Sequence, residues 1–314
     1  MKNMYTIGID VGGTTTKVGL VDKQGKVIQR ALVITTNYPV ISDYINALHE
    51  VIQLLITEAG GKDKIKGIGA GVPNGNYYTG EIVLAPNLPW KGVVPFGKML
   101  SEQTGMPCKI TNDANAAALG EMTYGAARGM KDFIMITLGT GVGSGIVANG
   151  QLIYGHDGFA GELGHVTVKP RGRLCGCGRR GCLETYASAT GVVRSAMEML
   201  SKNSTPSILR QLSPEEITSQ KICDAAIQGD EVALKVFRFT GKILGEAFAN
   251  FVAFSSPEAI VLFGGLTRAG NLLLDPLRES MEKNLLPIWQ GQIRLLVSQL
   301  PESDAAIMGA ASLI

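Results

Sequence analysis

Two glycine-rich segments with the same layout constrain the fold of this chain more than any other feature. In the first, an apolar strand enters the turn Gly12-Gly13-Thr14, and a second apolar strand leads to a hairpin turn at Gln24-Gly25. In the second, about 130 residues later, the turn spans Gly139–Gly143 and the hairpin turn is Asn149-Gly150. A third strand follows each hairpin. The repeat indicates that each copy opens one of two related domains.

Both glycine turns are candidates for phosphate binding. A tight turn with small side chains exposes backbone N–H groups and hydroxyls, which suit phosphate oxygens. Neither turn is a Walker loop, because no Gly-Lys-Ser/Thr follows and the turn leads into a strand rather than a helix. The same argument excludes a dinucleotide fingerprint. One glycine-rich hairpin is common in structural sheets, whereas two copies favour a shared role.

Length and composition limit the possible classes of protein. A length of 314 residues predicts about two domains. The net charge of +2, without a long basic run, argues against nucleic acid or anionic membrane as partners. No apolar stretch reaches about 18 residues, the length needed to span a membrane, and no cleavable signal precedes the first strand. Three of the five cysteines are clustered, which argues against a disulfide framework. We therefore expect a reduced, cytoplasmic protein.

Between and after the glycine turns, strands and helices alternate. Ser42 is a candidate cap for a helix through about Glu58, and the apolar face of this helix is predicted to comprise Ile45, Leu48, Ile52, Leu55 and Ile56. An Ala-rich helix is predicted from about Asn115 to Ala127. A long, mostly apolar helix is predicted over Asp230–Phe254, and a small-residue helix over Ala305–Leu313. The pattern is that of an α/β protein.

One histidine and three cysteines form a candidate metal site. His165, Cys175, Cys177 and Cys182 supply one imidazole and three thiolates, a closed tetrahedral set typical of structural Zn²⁺. Glu162 and Glu184 bracket the set and are not needed as ligands, so the metal would brace a loop whose carboxylates have another role. The alternative is a group of reduced thiols in a glycine-rich surface loop.

Two further segments have both a structural and a functional interpretation. The Asn112-Asp113 pair stands at a predicted helix start, where such residues are most often N-caps. A carboxylate held there could instead act as a general base. The Gly264-Gly265 turn after a buried strand resembles a place where adenosine passes bare backbone, although glycines are also common in ordinary strand-to-helix connections.

Taken together, these motifs resemble the ROK family of bacterial sugar kinases and sugar-responsive repressors, over nearly the whole chain and in order. The resemblance implies the two-domain actin-like ATPase (ribonuclease-H-like) fold with an interdomain cleft. We expect an N-terminal α/β domain over residues 1–113, joined by the C-terminal helix 303–314, and a C-terminal α/β domain over residues 114–302 that carries the metal loop.

The resemblance also implies roles for individual residues. Mg²⁺-bound ATP phosphates would face Asp10, Gly12, Gly13, Thr14, Thr15, Lys17, Gly139, Thr140, Gly141 and Gly143, and adenosine would lie on Gly264 and Gly265. The sugar would be held by Asn87, Asn112, Asp113, Glu162, His165 and Glu184, with Asp113 accepting the proton of the hydroxyl that is phosphorylated. Structural Zn²⁺ would be held by His165, Cys175, Cys177 and Cys182.

The predicted function is that of an ATP-dependent hexose kinase. Residues Glu184–Gly191 resemble the glucokinase branch, so glucose is the expected substrate. Alternatives are an N-acetylmannosamine, N-acetylglucosamine or fructose kinase, or a sugar-sensing regulator without a DNA-binding domain. A third alternative is an actin-like chaperone or filament, but neither needs the metal loop. The resemblance implies a homodimer or homotetramer.

Overall fold

The computed structural model describes residues 4–202, 204–301 and 304–314, so Ser303, where the terminal segment was predicted to begin, lies outside the described residues. The strands are β1 (Tyr5–Val11), β2 (Thr15–Val21), β3 (Val27–Ile34), β4 (Ile65–Val72), β5 (Ile82–Val83), β6 (Val93–Val94), β7 (Cys108–Asn112), β8 (Phe133–Leu138), β9 (Val142–Ala148), β10 (Gln151–Leu152), β11 (Ala259–Phe263) and β12 (Arg294–Val297).

The α-helices are α1 (Ile41–Glu58), α2 (Phe96–Thr104), α3 (Asp113–Tyr124), α4 (Glu184–Ala187), α5 (Ala189–Lys202), α6 (Ser219–Ile227), α7 (Glu231–Ser255), α8 (Asn271–Asn284) and α9 (Ala305–Ala311). Short 3₁₀ turns lie at Thr35–Asn37, Lys62–Lys64, Leu163–His165, Ile208–Gln211, Pro214–Glu216 and Gly265–Ala269.

Two five-stranded sheets have the same strand order. The first sheet is ordered β3-β2-β1-β4-β7 and the second β10-β9-β8-β11-β12, while β5 and β6 form a separate pair. In the first sheet β2 is antiparallel to β1 and β3, whereas β1, β4 and β7 are parallel. In the second, β8, β11 and β12 are parallel and β10 is antiparallel to β9. The shared order confirms the repeat predicted from the two glycine-rich segments.

The chain forms two compact units. The first comprises Met1–Lys131, Gly145–Gly161 and Ser298–Ile314, and the second comprises Asp132–Ser144 and Glu162–Val297. These limits differ from the division expected after Asp113, because α3 belongs to the first unit. It packs on α9, β4 and β7, and a Cβ atom on Gly120 of α3 would lie 3.0 Å from the Cα of Gly309 in α9.

Among the described residues, the core of the first unit lies between its sheet and the helices that pack on it. Nearly every residue of β4 is buried, which indicates that both faces of this strand are covered. Helix α1 buries the predicted apolar face, including Leu48, Ile52 and Leu55. The terminal helix α9 packs on β1, β2 and β4. Asp304 at its start accepts two hydrogen bonds from Arg30 of β3, at 2.7 and 2.5 Å, which fixes α9 against the sheet.

The core of the second unit is built around α7. This helix packs against α8 along much of its length and also contacts α4, α5 and α6. Its N-cap is Asp230, whose carboxylate accepts a hydrogen bond from the N–H of Ala233 at 3.0 Å. Among the described residues, no helix combines the length and the apolar character required to cross a bilayer.

Candidate active site

The first glycine turn joins β1 to β2. The N–H of Gly12 donates to the carbonyl of Thr15 at 3.0 Å, which closes the turn. Among the described residues, the N–H groups of Gly13 and Thr14 have no hydrogen-bond acceptor. Two consecutive free N–H groups in a turn are available to bind an anion. The predicted phosphate-binding residues Gly13 and Thr14 therefore lie in a turn, and their N–H groups are available as hydrogen-bond donors.

The loop that carries Asn87 lies directly on this turn. A Cβ atom on Gly13 would lie 2.5 Å from the backbone carbonyl oxygen of Asn87. This distance is far below an ordinary contact, so only glycine allows the loop to approach so closely. The contact brings a predicted sugar residue beside a predicted phosphate turn within one unit.

Asp10 and the Asn112-Asp113 pair lie at one edge of the first sheet. Asp10 of β1 is aligned with Gly71 of β4, and Gly71 is aligned with Thr111 of β7. These three strands are parallel, so their carboxyl ends meet at the same edge. Ligand sites in open α/β sheets form at the carboxyl ends of the strands. Lys17 of β2 is the register partner of Asp10.

The start of α3 assigns different roles to the two residues of the pair. Asn112 is the N-cap, and its side chain accepts a hydrogen bond from the N–H of Ala114 at 2.8 Å. Asp113 is the first helical residue, and its Oδ1 accepts from the same N–H at 2.8 Å. Its Oδ2 has no hydrogen-bond partner within the part of the chain that the structure describes. The capping interpretation therefore applies to Asn112, and Asp113 retains a free carboxylate oxygen.

Desolvation by the surrounding protein raises the pKa of both carboxyl groups at this edge. It raises the pKa of Asp10 from 3.8 to about 6; Lys17 lowers this pKa, and the charge of Asp113 raises it further. The surrounding protein also raises the pKa of Asp113, against the hydrogen bond from Ala114, although its side chain remains accessible to solvent. A carboxyl group with a raised pKa is a better proton acceptor.

The second glycine turn, between β8 and β9, repeats the arrangement of the first. The N–H of Gly139 donates to the carbonyl of Gly141 at 3.1 Å, and the N–H of Gly143 donates to Thr137 Oγ1 at 3.1 Å. The N–H groups of Thr140 and Gly141 have no acceptor among the residues described. Each unit thus presents two consecutive free N–H groups in its glycine turn.

The predicted adenosine segment follows β11 in the second unit. The last residue of β11, Phe263, is the register partner of Thr137 in β8. Gly264 comes next, and Gly265 begins a 3₁₀ turn; apart from its chain neighbours, no atom of the described residues lies within 4 Å of where its Cβ would be. The structure therefore places these two glycines near the end of β8, where the second glycine turn begins.

The four predicted metal ligands form one cluster. The candidate ligand atoms of His165, Cys175, Cys177 and Cys182 all lie within 4.8 Å of one another. The Sγ atoms of Cys177 and Cys182 are 3.7 Å apart, as are Cys175 Sγ and His165 Nδ1. Two sulfurs at tetrahedral positions around Zn²⁺, each at a bond length of about 2.3 Å, are separated by about 3.8 Å. The donor set and its spacing therefore fit a tetrahedral zinc ion.

The two bracketing carboxylates lie beside this cluster. Glu162 Oε2 is 3.9 Å from His165 Nε2, and Glu184 Oε1 is 3.7 Å from His165 Nδ1. Glu184 also contacts the second glycine turn, because its Oε2 accepts a hydrogen bond from the N–H of Val142 at 3.4 Å. Within the second unit, the structure brings together the cluster, both carboxylates and the second turn.

Arg173 supports this segment and was not identified from the sequence. Its guanidinium is buried and donates to both carboxylate oxygens of Glu198 at 3.0 and 2.8 Å. It also donates to the carbonyls of Thr185 and Gly191 and to the hydroxyl of Ser195. Arg173 thereby ties the metal loop to α4 and α5. An arginine in this glycine- and cysteine-rich segment has no local sequence feature that predicts this role.

Comparison with known proteins agrees with this architecture. The model of the ROK family matches residues 6–314. The glucokinase of Thermotoga maritima is 38% identical over 100% of this chain and 98% of its own length. The crystal structure of a ROK family glucokinase from Streptomyces griseus in complex with glucose and AMPPNP is 35% identical, covers 98% of both chains and has a TM-score of 0.80. The xylose repressor of Caldicellulosiruptor bescii is 30% identical over 98% of this chain and 77% of its own length.

The fold and the paired glycine turns define an α/β protein of the two-domain actin-like ATPase class. Within that class, this chain belongs to the ROK family. The predicted fold class and family are thus confirmed.

Proposed function

We propose that this protein is an ATP-dependent glucokinase, which transfers the γ-phosphoryl group of ATP to glucose and releases glucose 6-phosphate and ADP. The similarity to the Thermotoga maritima glucokinase over the full chain supports this proposal, as does the similarity to the Streptomyces griseus glucokinase. Phosphoryl transfer requires positioned substrates and neutralised charge rather than covalent chemistry from the protein. The residues described above can supply both.

The single observation that carries the proposal is the free oxygen of Asp113. Its Oδ1 is held by the N–H of Ala114, so the carboxylate is fixed on the rigid start of α3. Its Oδ2 can accept the proton of the sugar hydroxyl as that hydroxyl attacks the γ-phosphorus. Asn112 caps the helix with its Oδ1, which leaves its amide N–H groups for the sugar.

The two glycine turns would hold the phosphates of ATP. Gly13 and Thr14 in the first unit, and Thr140 and Gly141 in the second, offer backbone donors to phosphate oxygens. Asp10 would hold the Mg²⁺ that accompanies ATP, which neutralises phosphate charge. Lys17, beside Asp10, adds a positive charge.

Further side chains would contact the sugar. Asn87 offers an amide, and Glu162 and Glu184 offer carboxylates, which pair well with sugar hydroxyls. His165 would bind Zn²⁺ through one ring nitrogen and leave the other for a hydroxyl. The ion, held by His165 and the three clustered cysteines, would fix the loop that carries the carboxylates.

The proposal is tested by measuring ADP release with glucose, mannose, fructose, N-acetylglucosamine and N-acetylmannosamine. We expect the highest kcat/KM with glucose, because residues 184–191 resemble the glucokinase branch. A preference for N-acetylmannosamine would contradict the assignment of glucose as the substrate but would leave the assignment as a sugar kinase intact. Sugar binding without ADP release would indicate a sugar-responsive regulator instead. The homo-oligomeric state and the cytoplasmic location predicted above remain part of the proposal.

A further inference from the structure

The carbonyl groups of the second glycine turn are bound by the start of α5. The N–H of Ala189 donates to the carbonyl of Gly139 at 2.8 Å. The hydroxyl Oγ1 of Thr190 donates to the carbonyl of Thr140 at 2.8 Å. Two successive residues of α5 therefore bind two successive carbonyls of the turn.

These two carbonyls belong to the peptide groups whose N–H groups are free. A peptide group is planar and trans, so its C=O and N–H point in opposite directions. The carbonyl of Gly139 therefore shares a plane with the N–H of Thr140, and the carbonyl of Thr140 with the N–H of Gly141. Fixing each carbonyl on α5 aims the paired N–H away from α5. A hydrogen bond to the carbonyl also polarises the peptide and strengthens its N–H as a donor.

Other contacts hold the rest of the turn from the side of the metal loop. A Cβ atom on Gly164 would lie 2.0 Å from the carbonyl oxygen of Val142, so the loop packs directly on the turn backbone. The N–H of Leu163 donates to Ser144 Oγ at 3.1 Å. The free peptide groups themselves are held by two bonds, from the N–H of Ala189 and from the hydroxyl of Thr190. Of these two, the bond from Thr190 is the one that a side-chain substitution removes.

Thr190 is exposed, and its hydroxyl also contacts the residue that precedes α5. It lies in the first turn of α5, and its Oγ1 is 2.9 Å from the Oγ of the buried Ser188. The Ser188 hydroxyl donates its proton to the carbonyl of Glu184 at 2.6 Å, which leaves the proton of Thr190 available for the Thr140 carbonyl. Thr190 and Thr140 also line a cavity of about 240 Å³, which leaves room for a methyl group in place of the hydroxyl.

We propose that Thr190 is a positioning residue for nucleotide binding, which orients the N–H of Gly141 toward a phosphate group of ATP. This inference rests on the proposed kinase function. It predicts an effect on ATP binding rather than on glucose binding, because the N–H of the peptide that Thr190 holds would donate a hydrogen bond to a phosphate oxygen.

The test compares Thr190→Val, which removes the donor, with Thr190→Ser, which keeps it. The net value of one hydrogen bond predicts that Thr190→Val raises KM for ATP about three- to tenfold. Its KM for glucose should stay within about twofold of the wild type. Thr190→Ser should restore the KM for ATP. The Kd for a non-hydrolysable ATP analogue, measured by calorimetry, should change by the same factor as the KM.

The control is Thr218→Val in the same unit. Thr218 caps α6 by accepting a hydrogen bond from the N–H of Lys221 at 3.2 Å, so its loss lowers Tm without touching the turn. We expect the KM for ATP to be unchanged in this variant. An unchanged KM for ATP in Thr190→Val, or equal increases for ATP and glucose, would overturn the inference. A wild-type protein without sugar-dependent ADP release would refute the proposed function alone, since analogue binding would still decide the role of Thr190.

Discussion

Replacing Asp10 with asparagine should stabilise the protein in the absence of ATP and Mg²⁺ while it abolishes activity. The reason is the cost of keeping this carboxylate ionised at its position. Its pKa is about 6 in the folded protein and 3.8 when unperturbed. This difference of about two pKa units, at 1.36 kcal/mol each, makes the ionised group destabilising by about 3 kcal/mol at pH 7.5. Asparagine resembles the neutral form and avoids this cost.

The sign of the pH dependence follows from the raised pKa. Between pH 3.8 and about 6 the folded protein binds more protons at Asp10 than the unfolded chain does. The stability of the wild type therefore falls as pH rises through this window. The advantage of Asp10→Asn should be about 3 kcal/mol at pH 7.5 and about 1.6 kcal/mol at pH 5. Activity should have the opposite dependence, because the proposed Mg²⁺ site requires Asp10 to be ionised.

The assay can be restricted to the first unit. The chain has two tryptophans, and Trp90 is buried in the first unit, where its indole N–H donates to the carbonyl of Tyr38 at 3.0 Å. In a Trp289→Phe background, urea unfolding followed by fluorescence reports on Trp90 alone. Asp43→Asn, at the exposed first turn of α1, is the control and should cost a few tenths of a kcal/mol. If Asp10→Asn is no more stable than the parent at pH 7.5, or its advantage does not shrink at pH 5, the reasoning is wrong.

Three further outcomes are expected. Metal analysis should find about one Zn²⁺ per chain in the wild type, and Cys177→Ala should lose this ion and weaken glucose binding; stoichiometric zinc in the variant with unchanged glucose affinity would contradict the metal assignment. Asp113→Asn should lower kcat about 10²-fold or more with little change in Tm or glucose Kd, whereas near-normal turnover would refute its role as the base. Arg173→Lys should lower the free energy of unfolding of the second unit by about 2–3 kcal/mol, because lysine cannot serve the buried carbonyls and Glu198 together. The half-exposed Glu198 limits this loss, and the exposed Arg238→Lys should cost far less.

The sequence predicted the faces of helices better than their ends. The apolar spacing in α1 specified its buried residues, but the helix begins at Ile41 after Val40 and has no side-chain cap, so the prediction for Ser42 was wrong. Helix α3 begins at Asp113 rather than near Asn115, and Asn112 is its cap. Two adjacent residues with capping side chains cannot be ranked from sequence alone, because the choice depends on where the preceding strand ends.

Site residues that share a local sequence motif were also easier to predict than residues that tertiary packing brings together. His165 and the clustered cysteines lie within one short segment, and their proximity in the structure follows from their spacing in the sequence. The contact of Asn87 with Gly13 joins residues far apart in the chain and has no local signature. The same holds for Thr190, whose partner carbonyl lies 50 positions away. Such contacts depend on which strands and helices become neighbours, and the sequence specifies this only through the whole fold.

The position of α9 has a consequence for the order in which the protein folds. Ile307 and Met308 of this helix pack with Val21 and Val27 in one apolar cluster. On the ribosome, the β-strands of the first unit emerge long before this partner helix is synthesised. The second unit, whose residues end at Val297, can complete its core earlier. We therefore expect vectorial synthesis to leave the apolar surface of the first sheet that α9 covers exposed until this helix emerges, a state prone to capture by chaperones.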